Sequence, residues 1–250
     1  MILRRITDAF RRQDWFTVFV ETMIVVLGVF LGLQVNNWNE AHSDKELEHG
    51  YLVRLAADLE LTLTSFENSV DQHKMRKSLS AALITATSHS TTEDTVLIES
   101  TQQFFEIGWS TPYFQPIDTT FQDLSSTGNL QLIRDTDLRN AVIALYDNYE
   151  ETAVKFFINQ NWALPNDARI SYEHDILRWG LRYNGIYPDQ SDEEKLSAIR
   201  GYREEIGRLA ALYFWLFDHS IANHEAAIAE TDTVLGLIRQ ALNADARGSD

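Results

Sequence analysis

The sequence predicts an all-α protein, with a single N-terminal transmembrane helix that continues into an elongated extracytoplasmic helical bundle. Three observations predict it. Trp15 to Val35 is apolar except for Thr17, Glu21, Thr22 and Gln34, a length that spans the hydrocarbon core of a bilayer. Farther on, Leu52, Leu55, Leu59, Leu63, Phe66 and Val70 recur at spacings of three and four, the period of one buried helical face. The prolines, Pro112, Pro116, Pro165 and Pro188, fall between such stretches, where helices end.

The membrane helix comes first. Trp15 and Trp38 bracket it as interface anchors, separated by roughly 34 Å at about 1.5 Å per residue. A cleaved signal peptide is the rival reading, but no small-x-small cleavage site follows the apolar run, which passes into Gln34-Val35-Asn36-Asn37-Trp38. Arg4, Arg5, Arg11 and Arg12 precede the span, whereas only Lys45 and Arg54 lie in the comparable stretch beyond Trp38. The positive-inside rule then puts the N-terminus in the cytoplasm and the rest of the chain in the periplasm or outside the cell, the membrane being a bacterial inner membrane. Residues 1–14 read as a cytoplasmic amphipathic segment with Ile2, Ile6, Ala9 and Phe10 opposite the arginines. Residues 15–38 are the span, and 39–250 the extracytoplasmic domain.

Inside the span, Glu21, Gly28 and Gly32 share one stripe at about 100° per residue. Gly28-Val-Phe-Leu-Gly32 is a GxxxG pattern, which lets two helix backbones approach closely. Against that, glycine is common in membrane helices. Glu21 adds weight, because a carboxylate in a span costs about 2.5–3.5 kcal/mol and usually faces a partner or a cavity. Snorkelling to the inner headgroups is the alternative.

IVVLGVFLGLQVNNWNE, residues 24–40, resembles the membrane signature of an uncharacterised family of bacterial single-span proteins, with a looser likeness at Leu124-Ser-Ser-Thr-Gly-Asn-Leu-Gln-Leu-Ile133. The resemblance implies membrane anchoring and a helical domain beyond the bilayer. It implies no activity.

No proline or glycine interrupts Gln34 to His49, so the span is expected to run on as a stalk into the helix marked by Leu52 to Val70, ending near Ala86. A short helix from about Asp118, a turn at Ser125-Ser-Thr-Gly-Asn129, and a longer helix from Asp135 or Thr136 follow. Ser191-Asp-Glu-Glu194 is a capping box. It opens a long helix through Leu196, Ile199, Tyr202, Ile206, Leu209, Tyr213 and Leu216 toward Leu242, expected to pair antiparallel with the stalk.

The net charge is -16, and residues 41–250 carry 17 basic against 33 acidic side chains. That balance excludes the basic face nucleic acid requires. With no cysteine, disulfides and thiolate chemistry are excluded. His42, Glu46 and His49 lie on one helical face, but a solvated polar face is the better reading, and no second Glu-x-x-His supports a di-iron bundle. Asp218, His219, His224 and Glu225 read as surface or capping residues, since His219 and His224 point about 140° apart. Trp109, Tyr113 and Phe114, within an aromatic segment from Phe104 to Pro116, line a ligand or partner loop or else cap the core, and the second reading is preferred. The same choice applies to Trp162, Tyr172, Trp179, Tyr183 and Tyr187.

No nucleophile elbow, Walker loop, dinucleotide fingerprint or His-Glu-x-x-His occurs, so neither catalysis nor a cofactor is expected. The functional expectation is a non-catalytic, membrane-anchored interaction or sensory module. It would be held in the lipid bilayer as a homo-oligomer or with a membrane-protein partner, and the sequence names no small-molecule ligand. The alternative is a single-span subunit of an ion-coupled, stator-like complex in which Glu21 carries the proton.

Overall fold

The computed structural model describes residues 15–110, 115–174 and 191–247, and the side chains among these except 15, 17, 18 and 162–174. Every regular element among the described residues is helical. The long helix α1 spans Trp15–Ser88 without a break, then come α2 (Asp94–Gln103), a π-helical turn (Phe104–Gly108) and α3 (Thr119–Ser126). A 3-10 turn (Asn129–Leu132), α4 (Thr136–His174), α5 (Asp192–Gly201) and α6 (Arg203–Arg247) complete the order. Contacts divide the chain into two compact units, Met1–Tyr51 and Leu52–Asp250.

In the first unit, every described side chain from Phe19 to Asp44 is exposed. The helix there follows from an uninterrupted run of residues with no proline, and two glycines do not break it.

The second unit holds the core. One seam joins α1, from Leu52 onward, to α6 in antiparallel fashion. Arg239 Nη2 meets Glu60 Oε1 at 2.7 Å, Lys74 Nζ meets Glu225 Oε1 at 3.0 Å and Lys77 Nζ meets Asp218 Oδ1 at 2.5 Å. Partner numbers thus fall on α6 as they rise on α1. On α1, Leu52, Leu55, Leu59, Phe66, Val70, Leu83 and Ala86 are buried. On α6, Ile206, Leu209, Tyr213, Leu216, Phe217, Val234, Leu235 and Ile238 are buried. The first set holds the Leu52–Val70 stripe read from the sequence, and the second its Ile206–Leu216 counterpart. One position differs: Leu63 is half-buried and Thr62 is fully buried instead, because its Oγ1 accepts the Ile117 backbone N–H at 3.1 Å.

The ends of the helices are satisfied across elements. At the C-terminus of α1, Arg203 of α6 donates from Nε to the Thr87 carbonyl at 2.8 Å and from Nη2 to those of Ala86, at 2.8 Å, and His89. The Ala86 and Thr87 carbonyls belong to the last turn, which has no intrahelical donors, and a guanidinium also suits the negative end of the helix dipole. Asp58 on α1 accepts the Thr120 backbone N–H at 3.0 Å, serving the N-terminus of α3, whose own flanking residue Asp118 makes no side-chain cap.

Asp135 caps α4 through Oδ1, which accepts from the N–H groups of Asp137 and Leu138 at 2.9 and 3.1 Å. The Ser191–Glu194 capping box is present in full, and Gly128 takes the left-handed φ of 75° that turns the chain into the 3-10 segment. The helix expected from Asp192 to Leu242 is interrupted at Tyr202, where φ is -122° and the N–H is shared between the Ala198 and Ile199 carbonyls. The break follows Gly201, which has no side chain to support the helix, and comes just before Arg203.

Candidate functional site

Two features stand apart from ordinary packing, one in each unit. On the first unit, Glu21, Gly28 and Gly32 are exposed, as are Met23, Ile24, Val25, Val26, Leu27, Val29, Phe30, Leu31 and Leu33 around them. A Cβ added at Gly28 or at Gly32 would meet nothing within 4 Å, so the groove these glycines leave is open. Gly28 lies seven positions after Glu21 and Gly32 four positions after Gly28. At about 100° per residue all three lie on one stripe.

The anchors are placed differently. Trp38 is 72% exposed and lies parallel to the His42 ring, centroids 6.1 Å apart. Trp15 is the first residue of α1, and its side chain lies outside the described residues. His42 Nε2 approaches Glu46 Oε1 at 3.5 Å with both side chains exposed. No group of three or more metal-ligating side chains occurs among the described residues.

The second feature is a pair of histidines in the seam between α1 and α6. His73 is fully buried and His224 is 5% exposed. Their ring centroids are 5.2 Å apart, with Phe217 5.7 Å from His73 and Phe66 edge-on to His224 at 5.5 Å. His224 Nδ1 lies 2.6 Å from the Ser220 carbonyl. A carbonyl can only accept, so Nδ1 carries the hydrogen and Nε2 is the bare nitrogen of a neutral ring. Neither nitrogen of His73 has a hydrogen-bond partner among the described residues.

Burial, then the neighbouring His224, then Arg76 push His73 down from the usual 6.5 to about 4. Burial also lowers His224, partly offset by its bond to Ser220. Both rings are therefore neutral near pH 7. Beside them, Phe66, Tyr149, Ala153, Phe156 and His224 line a mainly apolar crevice of about 350 Å³, part of it open solvent. Tyr149 Oη meets Thr231 Oγ1 at 2.5 Å. Since Thr231 itself lies 2.6 Å from the Ala227 carbonyl, which can only accept, the phenol is the donor. Burial pushes the Tyr149 phenol up to about 12.

The reading of His224 as a surface or capping residue is corrected: the ring lies inside the seam. Asp218 and Glu225 do lie on the surface, paired with Lys77 and Lys74 of α1, and His219 is exposed beside Trp215. His73 was not singled out from the sequence, although a signal existed. Continuing the α1 stripe from Val70 by three residues lands on it, and the α6 stripe passes through position 224.

Trp109 is half-buried against the core built on Leu83, Phe104, Phe105 and Tyr213, which is the core-capping role. Gly108 is needed there, since a Cβ would come within 3.0 Å of Phe104 Cδ2 and 3.3 Å of Leu79 Cβ. Tyr113 and Phe114 lie outside the described residues, as do the side chains of Trp162 and Tyr172 and all of Trp179, Tyr183 and Tyr187.

Residues 21–159 match one family model, described as a family of unknown function, DUF6090. No curated protein and no solved structure matches the chain significantly.

Proposed function

The chain belongs to the DUF6090 family of unknown function, and from that premise we propose that it is a non-catalytic, membrane-anchored helical interaction or sensory module. The observation that carries the reading is the exposed apolar surface of α1. The chain has one helix, among the described residues, long and apolar enough to cross a membrane, and none of its most apolar stretch is buried within the fold. A monomeric protein in water rarely exposes a contiguous apolar face of that size, whereas lipid covers it without loss.

Self-association through the Glu21, Gly28 and Gly32 face follows from the open glycine groove. In lipid, helices associate by close backbone packing and by polar groups that find partners, not by hydrophobic expulsion. The arginines at positions 4, 5, 11 and 12 support the further reading that the N-terminus is cytoplasmic at a bacterial inner membrane and the domain after the span extracytoplasmic.

Native mass spectrometry of the full chain, extracted in mild detergent from its own membrane, tests the proposal. A homo-oligomer that falls to monomers on Gly28→Leu with Gly32→Leu is the expected result. An oligomer indifferent to both substitutions would remove the glycine face as its contact. Stable co-purification with a multi-span protein would move the reading to an ion-coupled complex, and Glu21→Gln would then be the first variant to assay for transport.

A further inference from the structure

We propose that His73 and His224 form an acid-sensitive latch on the seam between α1 and α6: neutral, they pack the two helices together, and protonated, they let them part. The inference concerns the Leu52–Asp250 unit alone and stands whether or not the chain is membrane-anchored.

The geometry carries it in three steps. First, both rings are buried between Phe66 and Phe217, so a charge on either would be surrounded by aromatic carbon. Second, no acceptor among the described residues meets either nitrogen of His73, and its ring packs against another imidazole, that of His224, at 5.2 Å between centroids. Third, His224 lies midway along α6 and His73 within the Leu52–Ser88 part of α1, with buried apolar residues on either side of each. Parting them there disturbs the whole seam.

The surrounding charges do not rescue the protonated state. On α1, the Arg76 guanidinium acts electrostatically on His73 and is itself held by Ser110 Oγ at 3.1 Å and by Gln72. Lys74 and Lys77 flank it and are engaged with Glu225 and Asp218 of α6. On α4, the Tyr149 phenol lines one crevice with His224 and stays protonated throughout. In the segment after α2, Glu106 is exposed. Glu225 and Asp218 are thus already paired with lysines, and the charge that acts on His73 is a cation.

The sign follows. A group whose folded pKa lies below its unfolded value binds protons more tightly when released, so the seam is strongest above the usual imidazole range. Its stability falls as pH drops from 6.5 toward about 4. Carboxylates titrate mostly below that window, which leaves the pH 7 to 5 interval to the imidazoles.

The test is hydrogen exchange of the α1 amides around residues 66–80 in the full chain in detergent micelles, corrected for intrinsic rates, between pH 7 and 5. The opening constant should rise about 20-fold for His73 alone, with His224 adding to it. His73→Phe should lose most of that rise, while His219→Gln, at an exposed position, keeps it. An opening constant that is flat from pH 7 to 5 overturns the latch. If His73→Phe does not fold, the ring signals of the wild-type histidines decide: a His73 ring that titrates near pH 6.5 with the helices still packed also overturns it.

Discussion

Arg203 and Gly207 show how much of the fold rests on single side chains at the α1–α6 seam. Arg203 is half-buried and reaches three carbonyls at the end of α1. Charge-assisted hydrogen bonds contribute about 1.5–3 kcal/mol, and the carbonyls left behind are partly desolvated. Arg203→Met should therefore lower stability by about 2–3 kcal/mol in a denaturant titration. Arg203→Lys should recover only part of the loss, because an ammonium cannot reproduce the planar fork. A Met variant as stable as the wild type would show that water caps α1 equally well. None of this was readable from the sequence, in which Arg203 is one of 21 basic residues and lies far along the chain from Ala86.

At the scale of the element, close approach of α1 and α6 is set by Gly207. A Cβ added there would come within 2.7 Å of Thr87 Oγ1 and 3.3 Å of Thr87 Cβ. Thr87 Oγ1 is held by its bond to the Leu83 carbonyl at 2.8 Å. Alanine would gain about 1 kcal/mol of helix propensity, but overpacking a tight contact costs about 1–3 kcal/mol. The second effect should win, so Gly207→Ala alone destabilises. Combined with Thr87→Ala, which removes the obstructing atom, it should be near neutral or stabilising. Thermal unfolding of the four-member cycle checks this, and additive effects would mean that the contact is not what excludes a side chain. The helix itself was legible from its three-and-four spacing and capping box. The break at Tyr202 was not, because the apolar pattern continues through it unchanged.

For the whole molecule, the cysteine-free sequence makes topology directly measurable. Thr7→Cys and Ser90→Cys place single thiols on either side of the exposed apolar segment. With vesicles of known orientation, an impermeant thiol reagent should label one position before lysis and the other only after it. Labelling of both in intact vesicles would mean that the apolar segment does not span the membrane. The same scale governs acid response: the interior of the Leu52–Asp250 unit is neutral at its centre, with Lys74–Glu225 and Lys77–Asp218 on the outside. Mild acid should act on the buried imidazoles before it acts on those pairs.

The sequence by itself determined the helical class, the apolar segment with its Glu21, Gly28 and Gly32 stripe, and the Asp135 and Ser191 helix starts, and it raised the antiparallel pairing of the two long stripes as an expectation. These are written in local periodicity and in residues that bond to their own neighbours. The Arg203 cap, the service of α3 by Asp58, the close contact at Gly207 and the meeting of His73 with His224 were decided only by tertiary structure. Each depends on residues scores of positions apart arriving at one level of the seam. A side chain's periodicity says which face it shares, but only packing says what lies opposite.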